Sequence, residues 1–148
     1  MLAQGINIGL GTDGSASNNR LDLFQEMRLA ALLAKATGAD AGTLPAHVAL
    51  SMATLDGARA LRLDHLIGSI EPGKFADLAA VEFTAPGMLP CYDPISHIVY
   101  AAGRDNVSHV WVAGQALLEN GTLMHPPKND LENLAVLWQN RLSMETRA

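Results

Sequence analysis

Residues 9–19 read Gly-Leu-Gly-Thr-Asp-Gly-Ser-Ala-Ser-Asn-Asn. One carboxylate, Asp13, stands among glycines and hydroxyls where an apolar, alternating run, Ile6-Asn7-Ile8-Gly9-Leu10, comes to an end. A carboxylate at the exit of a strand is where α/β barrels and open sheets place groups that hold metals or move protons. An Asp followed by Gly equally caps a turn. The residues by themselves leave both readings open.

Other reactive residue types are weaker. "GSIEPGKF" (68–75) echoes the phosphate-binding pattern G-x-x-x-x-G-K-[ST], but Phe75 takes the place of the hydroxyl and Glu71 would repel a phosphate. A turn between strands is expected there. His47, His65, His97, His109 and His125 form no H-x-H, H-x-x-H or H-E-x-x-H pair, so they read as surface or hydrogen-bonded residues rather than ligands. Cys91 lies between prolines with no His near it, and Ser15 and Ser17 lack a G-x-S-x-G context. No residue is assigned to an organic cofactor.

The elements that must position Asp13 follow from periodicity. Residues 5–11 read as a short strand, buried on both faces and lacking a parallel neighbour earlier in the chain. Asn19 is the expected cap of a helix running from Leu21 to about Lys35, with Phe24, Met27, Ala31 and Ala34 on one face. Thr43-Leu-Pro45 opens a second helix to about Met52, and Thr54 caps a third to Leu61. After residue 66 the period falls to two. Extended pieces are expected on both sides of Glu71-Pro-Gly73 within 67–83, then at 97–102, 109–114 and 115–121, with a hairpin at Ala113-Gly114. Residues 84–94 are a loop. A last helix, 129–143, capped by Asn129 or Asp130, is expected to pack Leu131, Leu134, Leu137, Trp138 and Leu142 into a core.

The 148 residues are 49% hydrophobic and 17% charged, which suits one folded domain and argues against disorder. The net charge of −5, with scattered Lys and Arg, argues against nucleic acid or an anionic membrane as partner. One cysteine excludes an internal disulfide and fits a reducing compartment. No apolar run reaches membrane-span length and no signal peptide is visible, so a cytoplasmic location is expected.

Three segments together resemble the amidohydrolase superfamily. "GINIGLGTDGSASNNRLDLFQEMRLAALLAK" (5–35) resembles the end of the catalytic barrel in the branch of methylthioadenosine/S-adenosylhomocysteine deaminases and triazine chlorohydrolases. "ALSMATLDGARALRLDHLIGSIEPGKFADLAAVEF" (49–83) resembles the passage from barrel to a small β-sandwich, and "YDPISHIVYAAGRDNVSHVWVAGQALLENG" (92–121) the strands that follow. The E-P-G-K-x-A-D-L turn marks only the superfamily; "GTDGSASNN" followed by "EMRLAALLAK" is narrower and points to the branch.

The resemblance implies an α/β fold: the C-terminal portion of a metal-dependent (β/α)₈ barrel, part of a β-sandwich domain, and a closing helix. In those terms residues 1–63 are the eighth strand and its helices, 64–125 the C-terminal part of the sandwich, and 126–148 the final helix. It implies one divalent metal, zinc or else iron, with Asp13 as both metal ligand and catalytic proton acceptor. The H-x-H pair, the later His and the assisting acid would lie upstream of this chain. The implied reaction is hydrolytic deamination of an adenine-type nucleoside such as methylthioadenosine or S-adenosylhomocysteine, and the full-length parent is expected to be a homo-oligomer. Another purine or a triazine is the alternative substrate. A non-catalytic binding or assembly module derived from an amidohydrolase is the alternative class, and an H-x-H segment encoded in frame upstream of Met1 would decide against it.

Overall fold

Asp22 sets the start of the first helix, α1 (Leu23–Gly38): its Oδ1 accepts the amides of Phe24 and Gln25 at 3.1 and 3.4 Å. The cap is therefore Asp22 and not Asn19, because the amides of Arg20 and Leu21 are held by the side chain of Asn18 and Leu21 takes a left-handed backbone (φ 49°). The computed structural model describes residues 2–125 and 131–145, so the expected cap of the last helix at Asn129 or Asp130 lies outside the described residues. Along α1, Met27 and Ala31 are buried and Phe24 and Ala34 half-buried, which is the face expected from spacing.

Two shorter helices follow, α2 (Ala46–Ala53) and α3 (Leu55–Ala60). Thr54 lies between them, but its hydroxyl donates back to the carbonyl of Leu50 at 2.8 Å and caps nothing. Met27, Ala31, Ala46, Ala49 and Val99 form the core, with Leu10, Phe24, Leu50 and Ile98 among the half-buried residues packed on it.

Val99 belongs to a helix, α4 (Pro94–Tyr100), where residues 97–102 were expected to be a strand. The correction has a local cause. Asp93 caps the turn by accepting from Ile95 N at 3.1 Å and from Ser96 Oγ at 2.8 Å, and Pro94 occupies the first helical position, where its missing N–H is harmless. These signals outweigh the β preference of Ile98 and Val99. Arg28 of α1 ties α4 down, donating to Val99 O at 3.2 Å and Ala102 O at 2.5 Å.

The period-two half forms one antiparallel sheet in the order β1 (Leu78–Val81), β2 (Val107–Val112), β3 (Gln115–Glu119), β4 (Thr122–Leu123). Leu78 lies opposite Trp111, Val110 opposite Leu118 and Leu118 opposite Leu123. Ala113 (φ 50°) and Gly114 (φ 80°) make the expected hairpin turn, left-handed at both central residues. Asn120 and Gly121 repeat it, ending the strand expected over 115–121 at Glu119, after which β4 begins at Thr122. Residues 67–69 are bends rather than a strand, and the described residues contain a single sheet, not the two facing sheets of a sandwich.

Two further expectations are corrected. Residues 6–11 run extended but form no ladder; among the described residues their one backbone hydrogen bond runs from Leu10 N to Met52 O at 2.9 Å. A strand exists only through its neighbours, and the described chain offers none beside this segment. The last helix, α5 (Leu131–Glu145), forms, but Leu131, Leu137, Trp138 and Leu142 are each more than half exposed and Leu134 is 36% exposed. Its apolar stripe is thus surface in this chain, not core. No helix among the described residues is long and apolar enough to cross a membrane.

Candidate functional site

The segment leading to Asp13 is pinned to the helices by close backbone approach. A Cβ on Gly9 would fall 2.9 Å from the Cα of Gly57 in α3, and Asn7 Nδ2 donates to Asp56 O at 2.9 Å. Only glycine lets the segment lie this near α3. Past Gly11 the chain loosens, and Asp13 turns into the left-handed region at φ 58°, which Asp tolerates better than most residues.

The carboxylate of Asp13 is exposed and accepts two hydrogen bonds, from Gly14 N to Oδ1 at 2.7 Å and from Ser17 Oγ to Oδ2 at 2.9 Å. The Ser17 hydroxyl first, and then the Gly14 amide, hold its pKa below the ordinary carboxylate value, while a small desolvation opposes them. These are the bonds of a turn cap. They leave lone pairs on both oxygens, since a carboxylate offers about four acceptor positions, so the same group remains open to a cation.

Behind Asp13 the loop closes on itself. Ser17 N and Asn18 N both donate to Gly14 O at 3.0 Å. Asn18 Oδ1 accepts from Arg20 N at 3.0 Å and Leu21 N at 3.2 Å, and Asn18 Nδ2 donates to Glu26 Oε1 on α1 at 2.8 Å. Arg104 Nη1 holds the far end, donating to Arg20 O at 3.2 Å. Sequence reasoning missed Asn18 and Glu26. The signal available was the Asn itself, which favours local backbone bonding, together with a carboxylate eight residues on.

The expected site is therefore only partly assembled. Asp13 does not line either of two clefts formed by the described residues. One is an open apolar groove of about 970 Å³ reaching from Leu10 and Gly11 past Phe24, Met27 and Leu50 to Leu78. The other, about 400 Å³, lies at the sheet end between Glu82, Asp105 and Asn120. His47, His65 and His125 are exposed, His97 packs edge-on against Phe83, and His109 stacks on Trp111 at 5.4 Å with Nδ1 on Ser108 Oγ at 3.0 Å. None approaches Asp13 as a partner. Among the described residues no group of three or more His, Cys, Asp or Glu side chains is placed to hold a metal ion. The described residues do not by themselves make up a metal centre.

The turn at 68–75 is saturated internally. Lys74 Nζ donates to Ser69 Oγ at 2.5 Å, Ser69 Oγ donates to Glu71 Oε1 at 2.5 Å, and Lys74 pairs with Glu71 at 3.3 Å. The Ser69 hydroxyl and Lys74 lower the pKa of Glu71. Cys91 is a free, half-buried thiol.

Residues 1–117 match the model of the amidohydrolase family. A 5-methylthioadenosine/S-adenosylhomocysteine deaminase of Teredinibacter turnerae is 42% identical over 139 residues, which is 94% of this chain and 31% of that protein. A 5'-deoxyadenosine deaminase of Methanothermobacter thermautotrophicus is 48% identical over 123 residues, 83% of this chain and 28% of that protein. Among solved structures, an adenosine deaminase of Xanthomonas campestris with bound zinc aligns with a TM-score of 0.88 at 43% identity, over 97% of this chain and 33% of its own. An atrazine chlorohydrolase of Arthrobacter aurescens complexed with zinc aligns with a TM-score of 0.79 at 33% identity, over 91% of this chain and 29% of its own. The chain spans about a third of the length of these relatives.

Proposed function

The chain belongs to the amidohydrolase family, and from that premise we propose that it is the C-terminal portion of a deaminase acting on an adenine-type nucleoside, with methylthioadenosine and S-adenosylhomocysteine as the first substrates to try. Residues 1–63 are the barrel-derived part, 64–125 the sandwich-derived part and 126–148 the segment that carries α5, with α4 leaning on the first part through Val99 and Arg28. The parent enzyme is a soluble homo-oligomer whose partner is the small-molecule substrate, not nucleic acid or membrane. The observation that carries the reading is Asp13: a solvent-facing carboxylate at the end of an extended segment, with spare acceptor positions and a pKa that keeps it ionised.

In this reading Asp13 is one ligand of a divalent metal, zinc in the first instance, and the remaining ligands come from residues beyond these 148. The names of the relatives support the substrate class, and zinc in two of the similar structures supports the metal. The reaction is hydrolytic: water adds to the ring carbon bearing the amino group, and ammonia leaves. Asp13 is placed in it as the group that accepts a proton from water and returns it to the departing nitrogen, the part an ionised carboxylate can play at neutral pH.

The test is a chimera in which these 148 residues replace the matching C-terminal segment of the Teredinibacter turnerae relative. Ammonia release from methylthioadenosine and S-adenosylhomocysteine is expected from a folded, zinc-loaded chimera. A folded chimera that binds zinc and releases ammonia from neither nucleoside, but does so from guanine or dechlorinates a triazine, would move the reading to those substrates. One that is inert to all of them favours a non-catalytic module.

A further inference from the structure

Among the described residues, one side-chain hydrogen bond joins the loop that carries Asp13 to α1, and it is not made by Asp13. Asn18 makes four hydrogen bonds in this region. Its amide N–H goes to Gly14 O at 3.0 Å, its Oδ1 takes the amides of Arg20 and Leu21 at 3.0 and 3.2 Å, and its Nδ2 reaches Glu26 Oε1 at 2.8 Å. Asn18 and Glu26 are both half-buried, so the bond is shielded where the Asp13 carboxylate is not. The loop between Asp13 and Leu21 begins and ends on a left-handed, non-glycine residue (φ 58° and 49°), and such backbone persists only where bonds around it over-determine it. Asn18 supplies those bonds at the Leu21 end and, through Gly14 O, at the Asp13 end.

We propose that Asn18 and Glu26 are the positioning pair of Asp13: their hydrogen bond fixes the 14–18 loop to α1 and so fixes the direction in which the Asp13 carboxylate points. This deepens the deaminase reading and rests on it for its catalytic consequence. The pair touches no substrate. Glu26 acts as an acceptor rather than as a charge, since its partner is a neutral amide, and a glutamine there would accept the same bond. Positioning of this kind is worth much: misplacing a reacting group by about 1 Å costs roughly a hundredfold.

The proposal is tested on the 148-residue chain itself and then on the chimera. In the chain, the amide proton of Gly14, bonded to Asp13 Oδ1 at 2.7 Å, reports the carboxylate's orientation by its downfield position in NMR spectra. Asn18→Ala and Glu26→Ala should lose that position, Glu26→Gln should keep it, and the amide of Gly114 in the distant hairpin should not move in any of them. In the chimera the two alanine variants should lower kcat by about tenfold or more with little change in KM, as expected of a misaligned group, and Glu26→Gln should restore it. An unmoved Gly14 amide in Asn18→Ala, or a Glu26→Gln variant as impaired as Glu26→Ala, overturns the pairing. An inactive parent chimera would sink the deaminase reading and leave the NMR arm to decide the positioning by itself.

Discussion

Two stretches of this chain are built from similar residues and end in different states. Residues 107–123 and residues 5–14 are both short, apolar and extended. The first is closed: β2, β3 and β4 are joined by two-residue turns, every strand has a neighbour, and β1 completes the sheet from the other side. The second is open: it carries Asp13 yet holds to the rest of the described chain through Leu10 N, the Asn7 amide and the contact of Gly9 with Gly57. Within the sheet, β2, β3 and β4 find their partners within a few residues, which loop closure favours. The extended segment needs partners far away in sequence. The scaffold is thus self-sufficient, and the residue with chemistry on offer lies on the part that depends on something else.

The sharpest way to break that contrast is at Asp13. In the chimera, Asp13→Asn should lower the rate of ammonia release about a hundredfold to ten-thousandfold, the usual span for losing a positioned acid–base group. The fold should persist, because the amide keeps the shape. A variant that retains most of its turnover at full zinc occupancy removes Asp13 from the mechanism.

Arg28→Ala should be the next largest. It strips α4 of the bonds at Val99 O and Ala102 O, and hydrogen bonds from charged donors are worth about 1.5–3 kcal/mol each where they are well shielded. Half-burial of Arg28 puts the expected loss toward the lower end, read as a fall in the urea midpoint. Gly9→Ala should act on the open segment alone. Its Cβ would meet the Gly57 backbone at 2.9 Å, so residues 6–12 must lift off, costing about 1–3 kcal/mol. Hydrogen exchange should quicken at Leu10 and stay unchanged in β2 and β3. Equal loss of protection in both would show that the two regions fold as one unit.

The smallest effect concerns pH. The Ser51 hydroxyl, and behind it Arg59, hold the pKa of Asp56 below its ordinary value against a modest desolvation. A folded pKa below the unfolded one gives stability that is fully present above the unfolded value, about 3.9, and is lost as pH falls through the folded value. Acid titration of the chain should therefore show a limb below about pH 4 that flattens in Asp56→Asn.

What the sequence allowed to be read follows the same division. Where local chemistry decides, the expectation held: the buried face of α1 and the hairpin at Ala113-Gly114. It failed where one local signal competed with another, as when Asp93-Pro94 made a helix of β-branched residues, or when Asn18 took the amides that would have let Asn19 cap α1. It failed again where the pattern is not matched by neighbours among the described residues: residues 6–11 are extended without a ladder, and the apolar stripe of α5 is exposed. Asp13 was visible from its type and place. The two hydrogen bonds it accepts, and the Asn18–Glu26 attachment behind it, depend on side-chain directions that spacing does not encode.

The central claim is that these residues contribute Asp13 to a metal-dependent deaminase and do not complete its metal centre. Catalytic zinc sites take about three protein ligands beside the open position, and among the described residues no such set exists. The direct measurement is a zinc titration of the 148-residue chain, followed by an ammonia-release assay on methylthioadenosine. The account predicts no tight, stoichiometric zinc and no ammonia from this chain, against one zinc and turnover in the chimera. One tightly held zinc per chain, with measurable ammonia release, would contradict it.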